Sequence, residues 1–354
     1  MNFEIEFLPV GTGNSSGDAI IVRYGEDDKY TIMVVDGGTK ESGQEIVNHI
    51  KKYYNTTYVD YVVNTHPDKD HASGLSVVME ELEVGEVWIH RPWEYAHILL
   101  DYFKDGRTTV ESLRRMLREK FCSSYALEEI ANSKWIPVKE PFQGEWIGAF
   151  HVMSPSKEWY LHELIPDFNK TPEKKALDES LGLGSFLVEG IKSIFESLDF
   201  ETLKENGKTS ADNESSVILY APFNEKGYLL TGDAGIRALE KTSEYAVEKG
   251  LDLPSNLRFI QIPHHGSRRN VSPSVLNKIL GEKGQEENKT AFVSAGKDAV
   301  KHPRPIVVNA FIRRGCKVVS TEGNTIKHHH NMPDREGWGA VEPLKFKEKV
   351  EDYE

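Results

Sequence analysis

Four side chains that bind divalent metal ions in proteins occur within six consecutive residues. They are His66, Asp68, Asp70 and His71, two imidazoles and two carboxylates that suit a hard or borderline ion such as manganese or zinc. The apolar residues just before them predict a buried strand that brings this loop to a sheet edge. A solvated loop with chance histidines would seldom combine these features, so we predict a metal site here.

Two later segments also predict a strand that ends in metal-binding side chains. The strand Tyr228–Leu230 runs into Gly232-Asp233, and the strand Arg258–Ile262 runs into His264 and His265. A turn aspartate or a histidine pair is weak evidence alone, but each follows an apolar strand, as the first motif does. The spacing does not tell which histidine of the pair is a ligand. His90 ends a further strand, and it could face the site or be structural.

The first motif resembles the signature H-x-H-x-D-H of the metallo-β-lactamase superfamily, with Asp68 at the usual position of the second histidine. The variant H-P-D-x-D-H and the later run Pro263-His264-His265-Gly266-Ser267 resemble the ComEC-like metallo-hydrolase group. This resemblance implies an α/β fold, a four-layer αββα sandwich with helical insertions and a metal site between its halves. A carboxylate in place of an imidazole makes the first metal position harder, which favours manganese over zinc.

The resemblance also implies two divalent ions, manganese or zinc, which activate water and stabilise an in-line displacement. Asp70 and Asp233 are the implied catalytic residues, with Asp233 bridging the ions. The first ion would be held by His66, Asp68 and Asn213, and the second by Asp70, His71 and one of His264 or His265. Asn213 stands near the place of a third-motif histidine, and its amide is a weaker ligand.

Basic and hydroxyl side chains follow the later motifs and suggest the substrate. The candidate substrate-binding residues are Ser267, Arg268, Arg269, His302 and Arg304. Guanidinium groups with hydroxyl donors suit a phosphodiester. The alternative is ordinary solvated surface charge, and the position of the cluster beside two metal motifs favours the substrate interpretation.

Composition limits the class of protein. The chain has 354 residues and a net charge of -13, which opposes a broad nucleic-acid surface but permits a local basic cleft. Cys122 and Cys316 are too few for a disulfide framework. No signal peptide or membrane-length apolar run is visible, so we expect a cytoplasmic protein without a membrane partner.

We predict one domain over residues 1–354, with insertions at 91–148 and 156–210. A helical stripe from Val110 to Phe121 lies in the first insertion, and the second is interpreted as a lid or protein-partner surface. The Phe3–Val10 strand should be half-buried, with Glu4 and Glu6 outward. Helices should begin at the capping box Ser42–Glu45, at Leu75 after a turn at Gly74, and at Thr108.

Three functions follow from these patterns. The first is a metal-dependent phosphodiester hydrolase, a ComEC-like DNA nuclease. The second is a small-molecule phosphodiester or carboxylic-ester hydrolase, which a closed pocket would favour over an open basic groove. The third is a non-catalytic binding module that keeps the fold, and the retention of nearly all ligand residues opposes it.

Overall fold

Two seven-stranded β-sheets form the centre of this computed structural model, which describes residues 1–352 except 14, 28, 104–107, 169–192, 285 and 287. The strands are β1 Asn2–Phe7, β2 Ala19–Glu26, β3 Lys29–Gly37, β4 Tyr58–Val63, β5 Glu83–Trp88, β6 Val138–Lys139, β7 Trp146–Ile147, β8 Phe150–Ser154, β9 Ser193–Phe195, β10 Ile218–Phe223, β11 Lys226–Leu230, β12 Leu257–Gln261, β13 Lys289–Val293, β14 Cys316–Ser320, β15 Ile326–His330 and β16 Lys349–Glu351.

The described α-helices lie mostly after the parallel strands. They are α1 Lys40–His49, α2 Lys69–Glu81, α3 Ala96–Leu99, α4 Val110–Lys120, α5 Cys122–Ser133, α6 Lys157–Trp159, α7 Ile165–Phe168, α8 Ala211–Glu214, α9 Ile236–Glu248, α10 Leu253–Asn256, α11 Pro273–Leu280 and α12 Pro305–Arg313. The 3₁₀ turns are Pro92–Tyr95, Leu100–Tyr102 and His264–Gly266, and the π-helical turns are Ile50–Tyr54 and Tyr160–Leu164. No helix within the described residues has the length and apolar composition required to cross a membrane.

The two sheets repeat one connectivity. The first has the order β15-β1-β2-β3-β4-β5-β6 and the second β14-β13-β12-β11-β10-β8-β7. Each is antiparallel on one side and parallel on the other, from β3 to β6 and from β11 to β14. Parallel neighbours require crossover connections, which place helices on the outer face of each sheet. The carboxyl ends of the parallel strands then meet at a common edge.

Three apolar cores confirm the predicted four-layer αββα sandwich. Residues from the inner faces of both sheets, such as Phe7 and Phe259, pack together in the central core. A second core packs α1, α2 and α5 against the first sheet, and a third packs the remaining helices against the second sheet. Each sheet is therefore buried on both faces, and loops at the sheet edge carry the exposed polar groups.

Some residues within the predicted insertions belong to the sheets. Strand β6 extends the first sheet beyond β5, and β7 forms the edge of the second sheet beside β8. The helices of the first insertion therefore lie between β5 and β6, and its last residues link the two sheets. Of the second predicted insertion, residues 169–192 lie outside the described residues.

Helix α2 begins within the metal motif rather than at Leu75, which corrects the sequence interpretation. Asp68 is its N-cap, so Asp70 and His71 stand in the first turn and Gly74 lies inside the helix. A Cβ on Gly74 would overlap the carbonyl oxygen of Gly37 and lie 2.5 Å from that of Thr39. Gly74 thus permits close approach of the helix to the end of β3, and no turn is needed there.

Two other helix starts also differ from their predicted caps. Thr39, in extended conformation, accepts the backbone N–H of Ser42 and begins α1, so Ser42 is the third helical residue rather than the cap. In the first insertion Thr109 is the cap and forms a reciprocal pair with Ser112, in place of the predicted Thr108. In both cases the spacing of residues alone does not show which of several neighbouring Ser or Thr residues caps the helix.

Strand β1 is buried on both faces, contrary to the predicted half-burial. Glu4 and Glu6 are fully buried and point to the helical side of the sheet. Arg335 donates to Glu6 Oε1 and Oε2 at 2.7 Å each and to Glu4 Oε2 at 2.8 Å, and Tyr54 donates to Glu6 Oε1 at 2.6 Å. The alternation was correct, but cations supplied from distant parts of the chain allow both carboxylates to be buried.

We expect Gly74→Ala to destabilise the protein, although alanine favours a helix interior by about 1 kcal/mol over glycine. The added methyl overlaps the backbone at the end of β3, and overpacking of this kind costs about 1–3 kcal/mol. Thermal and urea unfolding measure the change, with Ser73→Ala in the same turn as the matched control. A rise in Tm for Gly74→Ala would contradict the close-packing argument.

We also expect the free energy of unfolding to fall as the pH decreases through the range of Glu6. Burial opposes its charge, but hydrogen bonds from His49 and Arg335 lower the pKa of Glu6 from 4.5 to about 2. Because the folded-state pKa is the lower one, this stability is present above about pH 4.5 and is lost as the pH falls toward 2. Urea unfolding from pH 6 to 3 should show a smaller fall for Glu6→Gln, and exposed Glu45→Gln is the control. An equal fall in all three proteins would refute this assignment.

Candidate metal centre

The buried carboxylate of Asp36 holds the first metal motif from behind. It accepts the Thr65 N–H at 2.8 Å and the Thr65 hydroxyl at 2.5 Å. Its Oδ2 also lies 2.9 Å from His71 Nδ1. Asp36 follows the last apolar residues of β3 in the left-handed region, with φ +53°, an uncommon conformation for a non-glycine residue that occurs often at functional sites.

These hydrogen bonds orient both imidazole rings of the first motif. The Thr65 hydroxyl donates to Asp36, so it accepts from His66 Nδ1, 2.9 Å away. His71 Nδ1 likewise donates to Asp36. Each ring therefore presents the lone pair of its Nε2 atom to the opposite side, which is the arrangement found for metal-binding histidines.

Asp233 lies at the centre of four histidines. Its Oδ2 atom is 3.8 Å from His66 Nε2 and 3.6 Å from His264 Nδ1, and its Oδ1 atom is 3.6 Å from His71 Nε2 and 3.9 Å from His265 Nε2. Burial opposes the charge on this carboxyl, but the surrounding histidines hold the pKa of Asp233 well below its usual range. The two oxygens face two different groups of ligands.

The remaining motif residues complete these two groups. Asp68 Oδ2 lies 3.6 Å from His66 Nε2, and its side chain is 47% exposed at the mouth of the site. Asp70, His71 and His265 each offer one ligand atom within 4.8 Å of the others. His264 thus lies on the His66 side and His265 on the His71 side. Both histidines of the pair reach the centre, an arrangement that spacing alone left open.

Unpaired buried atoms show that this centre fits metal ions. Within the described residues, His66 Nε2, His71 Nε2 and Asp233 Oδ1 are buried without a hydrogen-bond partner. Atoms of this kind that converge on one centre would each lose the energy of hydration with no compensation. Nitrogen and carboxylate donors suit zinc or manganese, so the residues present fit a pair of divalent ions.

The backbone around the histidine pair is constrained. His264, His265 and Gly266 have φ values of +46°, +54° and +80°, and non-glycine residues adopt this region only when the surroundings impose it. The His264 N–H donates to Gly232 O at 3.3 Å, which ties the pair to the Asp233 loop. Burial lowers the pKa of His265 to about 3, so its ring is neutral, as metal binding requires.

Asn213 lies beside the site and contacts a histidine. Its side-chain nitrogen lies 2.6 Å from both Thr209 Oγ1 and His264 Nδ1. Asn213 is therefore near the first group of ligands, but its amide orients His264 in this arrangement. Its role as a direct ligand stays a prediction.

Two acidic residues near the centre received no role in the sequence interpretation. Asp18 was interpreted as the first residue of a strand, yet it is buried and accepts Gln261 Nε2 at 2.7 Å and the Ser294 hydroxyl at 2.5 Å. Burial raises the pKa of Asp18 to about 7. Burial and the nearby Asp68 raise the pKa of Asp212 to about 6. A carboxylate directly before a buried strand, as at Asp18, was the available signal.

The predicted substrate-binding residues lie in two loops beside the second sheet. Ser267 is buried, and its hydroxyl accepts the Arg269 N–H at 3.3 Å, so it stabilises a turn. Burial lowers the pKa of His302 to about 4, with Arg304 and His264 adding to the effect. Burial lowers the pKa of Arg304, and the nearby carboxylate of Glu351 opposes this shift.

Arg268, Arg269 and Arg304 together are called the basic rim. The C-terminal strand β16 contacts this rim through Arg268. Arg268 donates to the Asp352 carbonyl oxygen at 2.6 Å, so its guanidinium contacts the end of that strand. Val350 anchors the same strand in the core of the second sheet. Arg269 is exposed.

Comparison with known proteins gives a match for the first part of the chain. The family model of the metallo-beta-lactamase superfamily matches residues 12–145. A comparison with curated proteins found no match.

Several solved structures resemble the chain at low identity. A diphosphatase from the PhnP family is 12% identical, with 93% of this chain and 98% of that chain covered and a TM-score of 0.41. The metallo-beta-lactamase fold protein YhfI from Bacillus subtilis is 8% identical, with coverage of 92% and 99% and a TM-score of 0.40. A metallo-beta-lactamase from Hirschia baltica is 13% identical, with coverage of 78% and 96% and a TM-score of 0.33.

The matched segment contains the complete first motif, from His66 to His71, and the strands that position it. The second half of the chain supplies Asp233 and the histidine pair on a sheet with the same connectivity. The segment match and this two-sheet architecture are consistent with the metallo-β-lactamase fold.

Proposed function

We propose that this chain is a metal-dependent phosphodiester hydrolase, a nuclease of the ComEC-like type that acts through two divalent ions. The observation that carries the proposal is the position of Asp233, whose two oxygens face two separate groups of histidines. His66 and Asp68 would hold one ion, and Asp70, His71 and His265 the other, with Asp233 between them, while His264 Nδ1 is occupied by the Asn213 amide nitrogen at 2.6 Å. Divalent ions bound there would supply a nucleophile from water at neutral pH and offset the charge that develops on phosphoryl oxygens.

The residues of the chain have distinct tasks in this proposal. Asp36 and Thr65 orient His66 and His71 through their Nδ1 atoms. Gln261 accepts the N–H groups of Thr231 and Gly232, at 2.9 and 3.0 Å, and so fixes the loop that carries Asp233. Asp18 accepts hydrogen bonds from Gln261 Nε2 and the Ser294 hydroxyl and lies 3.8 Å from His71 Nδ1, so it helps to hold these groups beside the centre.

Nucleic acid is the proposed substrate because basic residues lie beside the metal centre of an otherwise acidic protein. With a net charge of -13, the surface as a whole repels a polyanion, so binding would depend on a few residues of the rim. Arg269 is the exposed arginine of the run that follows the histidine pair. Its guanidinium is suited to a phosphate oxygen.

A small phosphodiester or carboxylic ester is the second candidate substrate. Arg268 donates to the Asp352 carbonyl oxygen at the end of β16, and Arg304 is partly buried, which lowers its pKa. This leaves less of the basic rim for a long polymer than the sequence suggested. The third candidate, a non-catalytic module, is opposed by the candidate ligand side chains that surround Asp233.

We also propose a cytoplasmic location and a protein partner. Cys122 and Cys316 are free thiols, which fits the reducing cytoplasm. A protein partner would contact the 156–210 insertion, where Phe195, Leu198 and Phe200 are exposed.

We expect the purified protein to contain two divalent ions per chain and to hydrolyse bis-p-nitrophenyl phosphate faster with manganese than with zinc, because Asp68 hardens the first position. Asp233→Asn should lose bound metal and reduce turnover by at least about a hundredfold, and Asp70→Ala should reduce turnover similarly, because ligand groups act as a unit. Elemental analysis and initial rates measure both effects. Asp298→Asn is the control, since Asp298 is exposed and its φ of +60° suits asparagine. Full metal content and normal turnover in Asp233→Asn would sink the proposal.

We expect Arg269→Ala to weaken binding of single-stranded DNA and to reduce the slope of log affinity against log salt by about 0.7 for each phosphate that the variant no longer neutralises. Titrations of the metal-loaded protein across a range of salt concentrations measure this slope. Arg115→Ala, which removes an exposed arginine of α4, is the matched control. An unchanged slope in Arg269→Ala would show that the substrate binds to other residues.

A further inference from the structure

A small cavity lies next to the metal centre, between the first motif and the helical insertion. The residues that line it are Asn64, His66, Pro67, His90, Phe121, Ser124 and Tyr160. The volume open to the centre of a water-sized group is about 10 Å³, so the cavity holds about one such group. His66 belongs to both sites, because its ring lines this cavity and its Nε2 atom faces Asp233.

His90 is the polar residue of the cavity that lacks a partner. Its side chain is 8% exposed, and within the described residues both ring nitrogens are buried without a hydrogen bond. The ring stacks on Tyr160 at a centroid distance of 4.4 Å and lies 4.7 Å from the Phe142 ring. These two rings also contact each other, at a centroid distance of 5.7 Å, and together they restrict the orientation of the imidazole.

The electrostatic character of the cavity excludes a charged ligand. Burial lowers the pKa of His90 to about 3, so the ring is neutral at physiological pH. The neutral ring offers one donor and one acceptor. Ser124 donates its hydroxyl to Asn64 Oδ1 at 2.8 Å and keeps acceptor capacity on its oxygen. Lysine and arginine are missing from the described residues that line the cavity, so a phosphate or carboxylate would be desolvated there without compensation.

A hydroxyl group matches this cavity in size and in hydrogen bonding. It both donates and accepts, as the neutral imidazole does, and it occupies about the volume of one water. We propose that the cavity is a subsite for a substrate hydroxyl that lies beside the scissile phosphodiester. This inference rests on the proposed function. The hydroxyl could belong to a ribose or to a glycerol group, which share this chemistry.

The test compares matched substrates with and without the hydroxyl. Hydrolysis of the dinucleotide UpU is compared with that of dUpdU, and hydrolysis of glycerophosphocholine with that of its propyl analogue. Binding of uridine 3′-phosphate, 2′-deoxyuridine 3′-phosphate, glycerol 1-phosphate and propyl phosphate is measured by calorimetry on the metal-loaded protein. We expect a preference of roughly tenfold for the hydroxyl-bearing member of one pair, the size of one good hydrogen bond. The pair that shows the preference identifies ribose or glycerol as the source.

The variants separate recognition from packing. His90→Phe keeps an aromatic ring but removes both nitrogens, so the preference should fall to near one. His90→Gln keeps a donor and an acceptor and should retain part of it. Phe142→Leu is the control, because it alters the packing of the His90 ring and removes no polar atom.

The outcomes distinguish this inference from the proposed function. Equal kcat/KM and equal affinity for both members of both pairs would overturn the subsite and leave the hydrolase intact. A preference that survives in His90→Phe would also overturn it. If no phosphodiester is hydrolysed, the proposed function fails, and calorimetry on the monoesters still decides whether the cavity recognises a hydroxyl. Absence of any difference in affinity would then reject the subsite as well.

Discussion

The hydrogen bonds of Asp36 are the constraint on which the metal centre depends. One buried carboxylate at the end of β3 accepts from Thr65 in the first motif and from His71 in the first turn of α2. Without these donors the charge would be buried at a cost of several kcal/mol. The same contacts that stabilise Asp36 therefore fix the tautomers and directions of both imidazoles. One network of hydrogen bonds therefore stabilises the first half of the chain and sets the geometry of the site.

The centre itself is assembled from both halves of the sandwich. The first half supplies His66, Asp68, Asp70 and His71, and the second supplies Asp233, His264 and His265. The Val217 N–H donates to the Thr65 carbonyl oxygen at 3.0 Å, and Gln261 Nε2 donates to Asp18. These bonds cross between the sheets at the edge where parallel strands end. His264 and His265, which have positive φ angles, lie at this edge. A rigid surrounding structure can hold residues in such a strained backbone conformation.

The parts of the chain outside the repeated sheets surround the centre. The first insertion contributes Phe121 and Ser124 to the cavity beside His66, and the C-terminal strand contacts Arg268. The metal centre can supply the same reaction in any protein with these ligands. Under the proposed function, the neighbouring cavity, the exposed Arg269 and the nearby Glu351 would influence which phosphodiester can approach it. Substrate choice is thus expected to depend on these additions rather than on the ligands.

The sequence alone indicated which segments carry metal-binding side chains and that each of these segments follows an apolar strand. These features are local: a strand that ends in His-x-Asp-x-Asp-His is visible without its neighbours. The start of α2 was placed too late because Gly74 was interpreted as a turn, whereas its contact with Gly37 arises only when α2 packs on β3.

Long-range contacts decided what the sequence left open. Which histidine faces which oxygen of Asp233 depends on how His264 and His265 turn in the left-handed region. The burial of Glu4 and Glu6 depends on Arg335, more than three hundred residues along the chain. The role of Asp18 depends on donors from Gln261 and Ser294 in the other sheet. In each case the deciding partner is distant in sequence, so the pattern of residues shows which groups can do chemistry, and only the packing of the two sheets decides which of them meet.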